Sequence, residues 1–449
     1  MKPTIGVRRE DKSIWERRVP LTPEDARDLQ ARYGVRVIVQ TSSNRVFTDR
    51  DYVRAGVEVQ EDLSEASTIV AVKEIPLGIF ESGKTYVFFA HVIKGQPHNM
   101  AMLQRMMELG CNLIDYEKVT DDQGRRLIFF GRHAGLAGMI DTFWAYGQRL
   151  RWEGIPNPFM QLRQAHRYRD LNQAMAALAQ VRREIETDGL PAVITPLVVG
   201  IAGYGNVSSG VQELLACLPV VEIAPEEVAG LGVGIEASRH VLYKTVFKEE
   251  DMVEPVAPDG RFELQDYYRH PEKYRSRFEA YLPHLSILVN AIYWDKMYPR
   301  LVTKEYVRRA YRDKRSPKLR VIGDISCDIE GAVEVTVRAT DPGNPVFVYD
   351  PETDQTRPGY QGPGPVVMAV DILPSELPRE SSVEFSRVLK TYIPAIAQAD
   401  FSVPFDRLDL PPEIKRALIL HQGKLTPPYR YLEGFLGRGG GNKTQGGKR

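Results

Sequence analysis

Three cysteines in 449 residues, Cys111, Cys217 and Cys327, are far apart and odd in number, without the paired spacing of a disulfide framework or a zinc site. They suit a reducing compartment. No run of 18 apolar residues occurs, so no membrane-spanning helix and no membrane partner are expected. Neither sign of charge is in excess: Lys plus Arg and Asp plus Glu each number 59, which disfavours nucleic-acid binding as the main function. A His-x-x-x-His pair and a Gly-x-Ser-x-Gly elbow are both missing. Their absence ranks hydrolysis low and predicts no metal. The chain enters an apolar run at Thr4 without the regions of a signal peptide, so a soluble, cytoplasmic protein is expected.

What is present is an ordinary globular composition, 43% hydrophobic and 26% charged, in a chain long enough for two or three domains. Short apolar runs recur early: Thr4 to Val7, Arg36 to Val39, Thr68 to Val72, Thr85 to Phe89, Asn112 to Asp115 and Leu127 to Phe130 read as strands. Helical patterns fall between several of them. Thr22-Pro-Glu-Asp25 supplies an N-cap, a proline at the first helical position and acids in the first turn. Strands alternating with helices predict βα units and a parallel sheet. Further on, Ala134 to Tyr146 and Arg163 to Asp188 predict helices, and Val220 to Ile223, Leu285 to Ile292 and Arg320 to Ile325 predict strands. The charged, tyrosine-rich stretch from Asp251 to Tyr281 reads as an inserted helical excursion. Proline-rich turns from Pro342 precede two helical segments, Ser382 to Ala399 and Pro411 to Gln422, and a Gly-rich tail, 438–449, reads as disordered.

The chain is organised around Pro196-Leu-Val-Val-Gly-Ile-Ala-Gly-Tyr-Gly-Asn-Val-Ser-Ser-Gly210, which reads as strand, tight turn and helix. Gly203 and Gly205, flanking Tyr204, let the backbone turn and approach a pyrophosphate, whose charge would rest on the free N–H groups of the helix start at Asn206 and Val207. Ser208 stands at the usual third glycine, with Gly210 two residues on. A glycine pair after a strand is equally an ordinary βα turn. Glu222, ending the Val220 run, is placed to hold a ribose hydroxyl. Asn290 with Ala291, and Asp324, Ile325 and Ser326, end strands that would open onto the same crevice.

A second concentration of chemistry lies at the ends of the early strands: Lys73 and Glu74, His91 and Lys94, Glu117, Arg125 and Arg126, with Arg17 and Arg18 after the first strand. A parallel sheet delivers such ends to one edge. Each residue also has a plain reading. Arg17 and Arg18 beside Glu16 are commonly a solvated pair, Glu117 a helix-start acid, and Arg126 a balance to Asp121 and Asp122. His91, ending Val87-Phe-Phe-Ala-His91, is either a satisfied core histidine or a poised acid/base.

Ile5-Gly-Val-Arg-Arg-Glu-Asp-Lys-Ser-Ile-Trp-Glu-Arg-Arg-Val-Pro-Leu21 resembles the opening of the lysine-ketoglutarate reductase half of aminoadipic semialdehyde synthase, and more distantly saccharopine and alanine dehydrogenases. The likeness continues through Ala71-Val-Lys-Glu74, Phe88-Phe-Ala-His-Val-Ile-Lys94, Leu113-Ile-Asp-Tyr-Glu-Lys118, Phe130-Gly-Arg-His-Ala-Gly-Leu-Ala-Gly-Met139, Gly203-Tyr-Gly-Asn-Val-Ser208, Leu288-Val-Asn-Ala-Ile-Tyr-Trp294, Gly323-Asp-Ile-Ser326 and Asp371-Ile-Leu-Pro-Ser-Glu-Leu-Pro378. It implies an α/β fold of two Rossmann-like domains with parallel sheets and an interdomain active-site cleft. Residues 1–140 with 341–437 would form the substrate domain and 141–340 the dinucleotide-binding domain. It also implies that L-lysine condenses with 2-oxoglutarate and that the imine takes hydride from a nicotinamide to give saccharopine, reversibly.

By the same resemblance Lys73 and His91 match the catalytic acid/base pair. Arg18, Lys94, Gln96, Glu117, Arg126 and Phe130 surround the substrate, Glu74 stands beside them, and Arg125 lies near the cofactor. Saccharopine carries three carboxylates, which suits Arg18, Arg126 and Lys94. NADPH is favoured on the resemblance, with NADH as the alternative. A homo-oligomer is expected, and a separate saccharopine dehydrogenase is expected to act downstream. The alternatives are the lysine-forming direction with NAD, another amino donor such as ornithine, or a nucleotide-sensing protein without turnover, against which Lys73 and His91 both speak.

Overall fold

The computed structural model describes residues 2–234, 236–312 and 317–436; the Gly-rich tail lies outside the described residues. In chain order the strands are β1 (Thr4–Val7), β2 (Arg36–Gln40), β3 (Glu58–Gln60), β4 (Thr68–Val70), β5 (Thr85–Phe88), β6 (Asn112–Asp115), β7 (Val198–Ala202), β8 (Val220–Glu222), β9 (Leu242–Phe247), β10 (Val253–Pro255), β11 (Tyr274–Ser276), β12 (Ile287–Asn290), β13 (Val321–Asp324), β14 (Val346–Asp350), β15 (Gln355–Pro358), β16 (Val366–Met368), β17 (Leu418–His421) and β18 (Lys424–Leu425). The chain divides into two compact units. One contains the residues up to Phe130 with those from Pro378 on; the other is Gly131–Leu377.

The first unit holds a sheet of order β18-β17-β6-β5-β4-β1-β2-β3, in which β1 to β6 are mutually parallel. The helix Pro23–Tyr33 shows why the crossovers end where they do. The Thr22 hydroxyl accepts from the Asp25 N–H, and Gly34, at φ +67°, closes the other end with its N–H on the Leu29 carbonyl. Leu127 to Phe130, expected as a strand, forms none and leads into the helix Gly131–Trp152. Pro411 to Gln422, expected as a helix, is helical only over Pro412–Ala417. Its apolar Leu418–His421 then adds β17 antiparallel to β6, because an apolar run beside an open sheet edge gains more from ladder hydrogen bonds than from another helical turn.

The second unit holds a sheet of order β15-β14-β16-β13-β12-β7-β9-β8, parallel except at β14 and β15. Its central strands β7, β12, β13 and β16 are buried throughout, the signature of a sheet covered on both sides. Val199 and Ile201 join one core with Ile287, Val289 and the helix Gly131–Trp152; Val198 and Ala202 join another with Leu288 and Phe247. Residues 341–377, expected with the substrate domain, carry β14, β15 and β16 and belong to this sheet, so the chain returns to the first unit at Pro378. The expected helix from Arg163 begins at Leu171, where the Asp170 carboxylate caps it. Asp251 to Tyr281 is a β10–β11 hairpin with short helices. No helix among the described residues is long and apolar enough to cross a membrane.

Candidate functional site

In the first unit the parallel strands bring their C-terminal ends to one edge, and most of the early candidates meet there. Glu10, beyond β1, reaches across to accept the N–H groups of Val72 (2.6 Å) and Lys73 (3.0 Å), fixing the backbone that carries the lysine. His91, beyond β5, sits at φ +51°, a conformation that a non-glycine residue keeps only when its surroundings hold it. Asn99 does so by donating to the His91 carbonyl at 2.9 Å, and the Phe89 ring stacks on the imidazole at a centroid distance of 6.0 Å. His91 Nδ1 lies 3.4 Å from Glu117 Oε1, and Arg126 Nη2 lies 3.6 Å from the same oxygen. Glu74 pairs with Lys12 at 2.7 Å.

Arg18 is not the solvated arginine of the plain reading. It and Glu16 are each 3% exposed and share two hydrogen bonds, 2.7 Å from Nε and 2.5 Å from Nη2, and its guanidinium lies 4.3 Å from the Phe130 ring centroid. Phe130 in turn stacks on Phe385 of the helix Pro378–Leu389, at 4.9 Å. Arg17 points elsewhere, its Nε on the Asn44 carbonyl.

The charges are linked. Burial, and then the Arg18 guanidinium, holds the Lys73 ammonium below its ordinary range, while Glu16 and Glu74 pull it back up. Burial pushes Glu16 up, but Arg18 more than offsets it and the carboxyl ends below its usual range. Burial likewise raises Glu117, and the hydrogen bond and charge of His91, with Arg126 and Lys94, bring it lower. Two acids move the other way: Glu10 is pushed up to about 7 by burial and then by Glu16, and Asp115 is pushed up by burial and then by Glu117. The cluster therefore offers an amine that gives up its proton readily, an imidazole oriented by a carboxylate, and cations for anionic ligands. Lys94 is exposed nearby, and Gln96 stands just before the helix Pro97–Glu108. Arg125 is not drawn in; its side chain, 77% exposed, pairs with Asp121 in the turn that precedes it. Glu10, Glu16, Asp115 and Phe385 were not singled out from sequence. The first two stand in a charged run that reads as surface, and their only signal is the strand Thr4–Val7 just before it.

In the second unit β7 runs into the glycine turn as expected. Gly203 is at φ +98° and donates to the Phe247 carbonyl at 3.0 Å; a Cβ there would come within 2.9 Å of the Ala291 carbonyl. Gly205 opens the helix Asn206–Leu215 and faces open space, since an added Cβ would meet nothing within 4 Å. Ser208 is buried and accepts from Gln212 at 3.2 Å. Gly210 does the packing expected of a third glycine: a Cβ on it would collide with the Arg132 carbonyl, and one on Gly135 with the Val207 carbonyl. The two helices thus touch backbone to backbone. A cavity of about 410 Å³ lies against the turn, lined by Gly203, Tyr204, Gly205, Ala291, Ile292 and Trp294 among others.

Five further expected cofactor contacts have partners within the unit. Asn290 and Asp324 brace the ends of β12 and β13, with Asn290 Nδ2 donating to Asp324 Oδ1 at 2.8 Å and Thr336 donating to Oδ2 at 2.5 Å, both residues buried. Burial holds Asp324 at about 6. Ile325 is buried beside them, and Ser326 donates to the Ile292 carbonyl at 2.6 Å. Glu222 ends the edge strand β8; β9 lies between β8 and β7, and Glu222 pairs with Lys244 at 3.0 Å. Among the described residues no group of three His, Cys, Asp or Glu is placed to hold a metal ion.

The protein thus presents a glycine turn with open space before it on one mostly parallel sheet, and a lysine, a histidine and carboxylates at the strand ends of another, in an α/β fold of the Rossmann type. Residues 6–137 match the N-terminal domain of alanine dehydrogenase/PNT. The chain is 36% identical over 443 residues to an α-aminoadipic semialdehyde synthase of Arabidopsis thaliana, covering 95% of this chain and 41% of that one. It is 28% identical over 401 residues to the saccharopine dehydrogenase [NAD(+), L-lysine-forming] of Emericella nidulans, covering 86% and 90%. The solved structure of an L-alanine dehydrogenase shares the fold, with a TM-score of 0.61 at 18% identity over 96% of this chain and 99% of that one. The chain spans about half the length of the semialdehyde synthases it matches. It is thus similar along most of its length to α-aminoadipic semialdehyde synthases and saccharopine dehydrogenases, and over residues 6–137 to the N-terminal domain of alanine dehydrogenase/PNT.

Proposed function

We propose that this chain reductively and reversibly condenses L-lysine with 2-oxoglutarate to saccharopine. The observation that carries the reading is the linked set Lys73, His91 and Glu117 with Arg18 and Arg126 at one sheet edge. The names of the relatives, aminoadipic semialdehyde synthase and lysine-forming saccharopine dehydrogenase, support the same substrates. The glycine turn fits a dinucleotide, because Gly203 turns the chain at positive φ and Gly205 leaves open space at the helix start where a side chain would intrude. A bound reduced nicotinamide supplies the hydride that reduces the imine.

The residues of the chain do the rest. The substrate ammonium must lose a proton before it attacks the ketone, and the carbinolamine hydroxyl must gain one before it leaves as water. Lys73, its ammonium destabilised by burial and by Arg18, is the group that accepts a proton. His91, turned by Glu117 through Nδ1, presents Nε2 to pass one on. Arg126 and Lys94 bind substrate carboxylates. Arg18, whose Nε and Nη2 are engaged by Glu16, acts mainly by its charge on Lys73.

The test follows reduced-nicotinamide absorbance in both directions, with lysine and 2-oxoglutarate or with saccharopine. Ornithine replaces lysine and pyruvate replaces 2-oxoglutarate in parallel runs. Turnover is expected with lysine and 2-oxoglutarate. Folded protein that turns over none of the combinations would overturn the proposal.

A further inference from the structure

Resting on the dinucleotide reading above, we propose that Glu249 holds the adenosine ribose by its hydroxyls and so selects NAD(H) over NADP(H). Sequence order alone pointed to Glu222, which ends the first strand after the glycine turn. The sheet runs β8-β9-β7, however, so the strand beside β7 is β9. In open parallel sheets the adenosine ribose is read by an acid at the end of the strand neighbouring the glycine turn. Here that end is tied to the turn directly, since the Phe247 carbonyl accepts the Gly203 N–H at 3.0 Å.

Glu249 follows two residues later and lines the 410 Å³ cavity together with Gly203, Gly205, Ile292 and Trp294. It is half-buried, and two phenols hold its carboxylate: Tyr268 donates to Oε1 at 2.6 Å and Tyr204, from within the turn, donates to Oε2 at 3.1 Å. A positioned carboxylate with lone pairs to spare accepts from a ribose diol. The same carboxylate repels a 2′-phosphate, and Glu250 and Asp251 beside it add to the repulsion. The basic group lining the cavity, Arg300, is already engaged. It donates to the carbonyls of Gly331 at 3.2 Å and Glu330 at 3.1 Å and lies 5.6 Å from the Trp294 ring centroid. Glu222, at 62% exposure and paired with Lys244, lies one strand further out.

The experiment is direct binding to the full chain, without substrates: titration with NADH, NADPH, ADP-ribose and 2′-phospho-ADP-ribose, read by calorimetry. The forms lacking the 2′-phosphate are expected to bind at least about 10-fold more tightly. Glu249→Gln should shrink that ratio and Glu249→Arg should reverse it, with circular dichroism checking the fold of each; Glu222→Gln should leave it unchanged. Equal or tighter binding of the phosphorylated ligands, or a ratio moved by Glu222→Gln and not by Glu249→Gln, would overturn the assignment. Binding of none of the four would overturn it together with the dinucleotide reading. Selective binding with no turnover of lysine and 2-oxoglutarate would leave Glu249 supported and remove only the substrate proposal.

Discussion

Glu16→Gln probes the most heavily linked part of the first unit. Glu16 and Arg18 are each 3% exposed and are joined by hydrogen bonds of 2.7 and 2.5 Å, so solvent screens the pair little. The amide keeps the shape of the side chain but leaves a buried guanidinium without its counter-charge, a change that costs about 3–5 kcal/mol. Removing both charges, as Glu16→Gln with Arg18→Met, leaves no unpaired ion and should cost less than Glu16→Gln alone, which corresponds to a coupling of roughly 2 kcal/mol or more. Denaturant unfolding of the wild type, both single variants and the double variant measures this. The pH dependence adds a second readout. Glu16 raises the proton affinity of Lys73 and Arg18 lowers it. The limb of kcat/KM that reports Lys73 should therefore move to lower pH in Glu16→Gln and to higher pH in Arg18→Met. Glu16 itself, held below the ordinary carboxylate range, stabilises the fold above that range and loses this contribution as pH falls through its folded value, so wild type and Glu16→Gln should converge in acid. Additive unfolding costs, or a limb unmoved in both variants, would refute the coupling.

Lys73→Met and His91→Asn should each lower turnover by ~10²-fold or more, the scale of a lost acid/base group, while folding is kept; unchanged steady-state rates would show that the proton-moving groups lie elsewhere. Gly205→Val should lower thermal stability only slightly, through the helix N-cap, because the site faces open space, yet should weaken dinucleotide binding in the same titrations. Glu10, raised to about 7, binds a proton in the fold more tightly than when unfolded, so its contribution to stability is full below about 4.5 and falls as pH rises to about 7. Glu10→Gln should flatten that part of the stability profile, measured as denaturation midpoint against pH; a slope equal to wild type would mean that Glu10 is not the group responsible.

Local signals in the sequence were strong where an element's reasons are local. The apolar runs of β1, β2, β4, β5 and β6 and the Thr22 cap lie in the residues themselves, and the same runs deliver Lys73, His91 and Glu117 to a shared edge. What escaped depends on distant partners. Leu242–Phe247 alternates buried and half-buried residues, with Lys244 and Thr245 interrupting its apolar pattern, and nothing within it announces insertion between β7 and β8. Leu418–His421 is a strand because β6 is there to pair with it. Glu10 and Glu16 look like surface charge until Val72, Lys73 and Arg18 are placed around them. The place of Glu222, one strand further from β7 than its position in the chain suggests, has the same origin: strand order in a sheet is a property of the whole unit and leaves little trace in the segment itself.

The bond between Gly203 and the Phe247 carbonyl separates two tasks along the chain. The backbone up to Phe247 is tied into the sheet and shapes the phosphate-facing turn, whereas Lys248 to Asp251 lies just past that anchor in a short helical turn near the surface. Side chains there lie past the end of the β9 ladder, and Glu249 meets the turn through the Tyr204 hydroxyl. On the proposed role of Glu249, preference between the two nicotinamide coenzymes would be set in this four-residue segment and phosphate binding in the turn before it, so that exchanges here would retune redox coupling in a few steps.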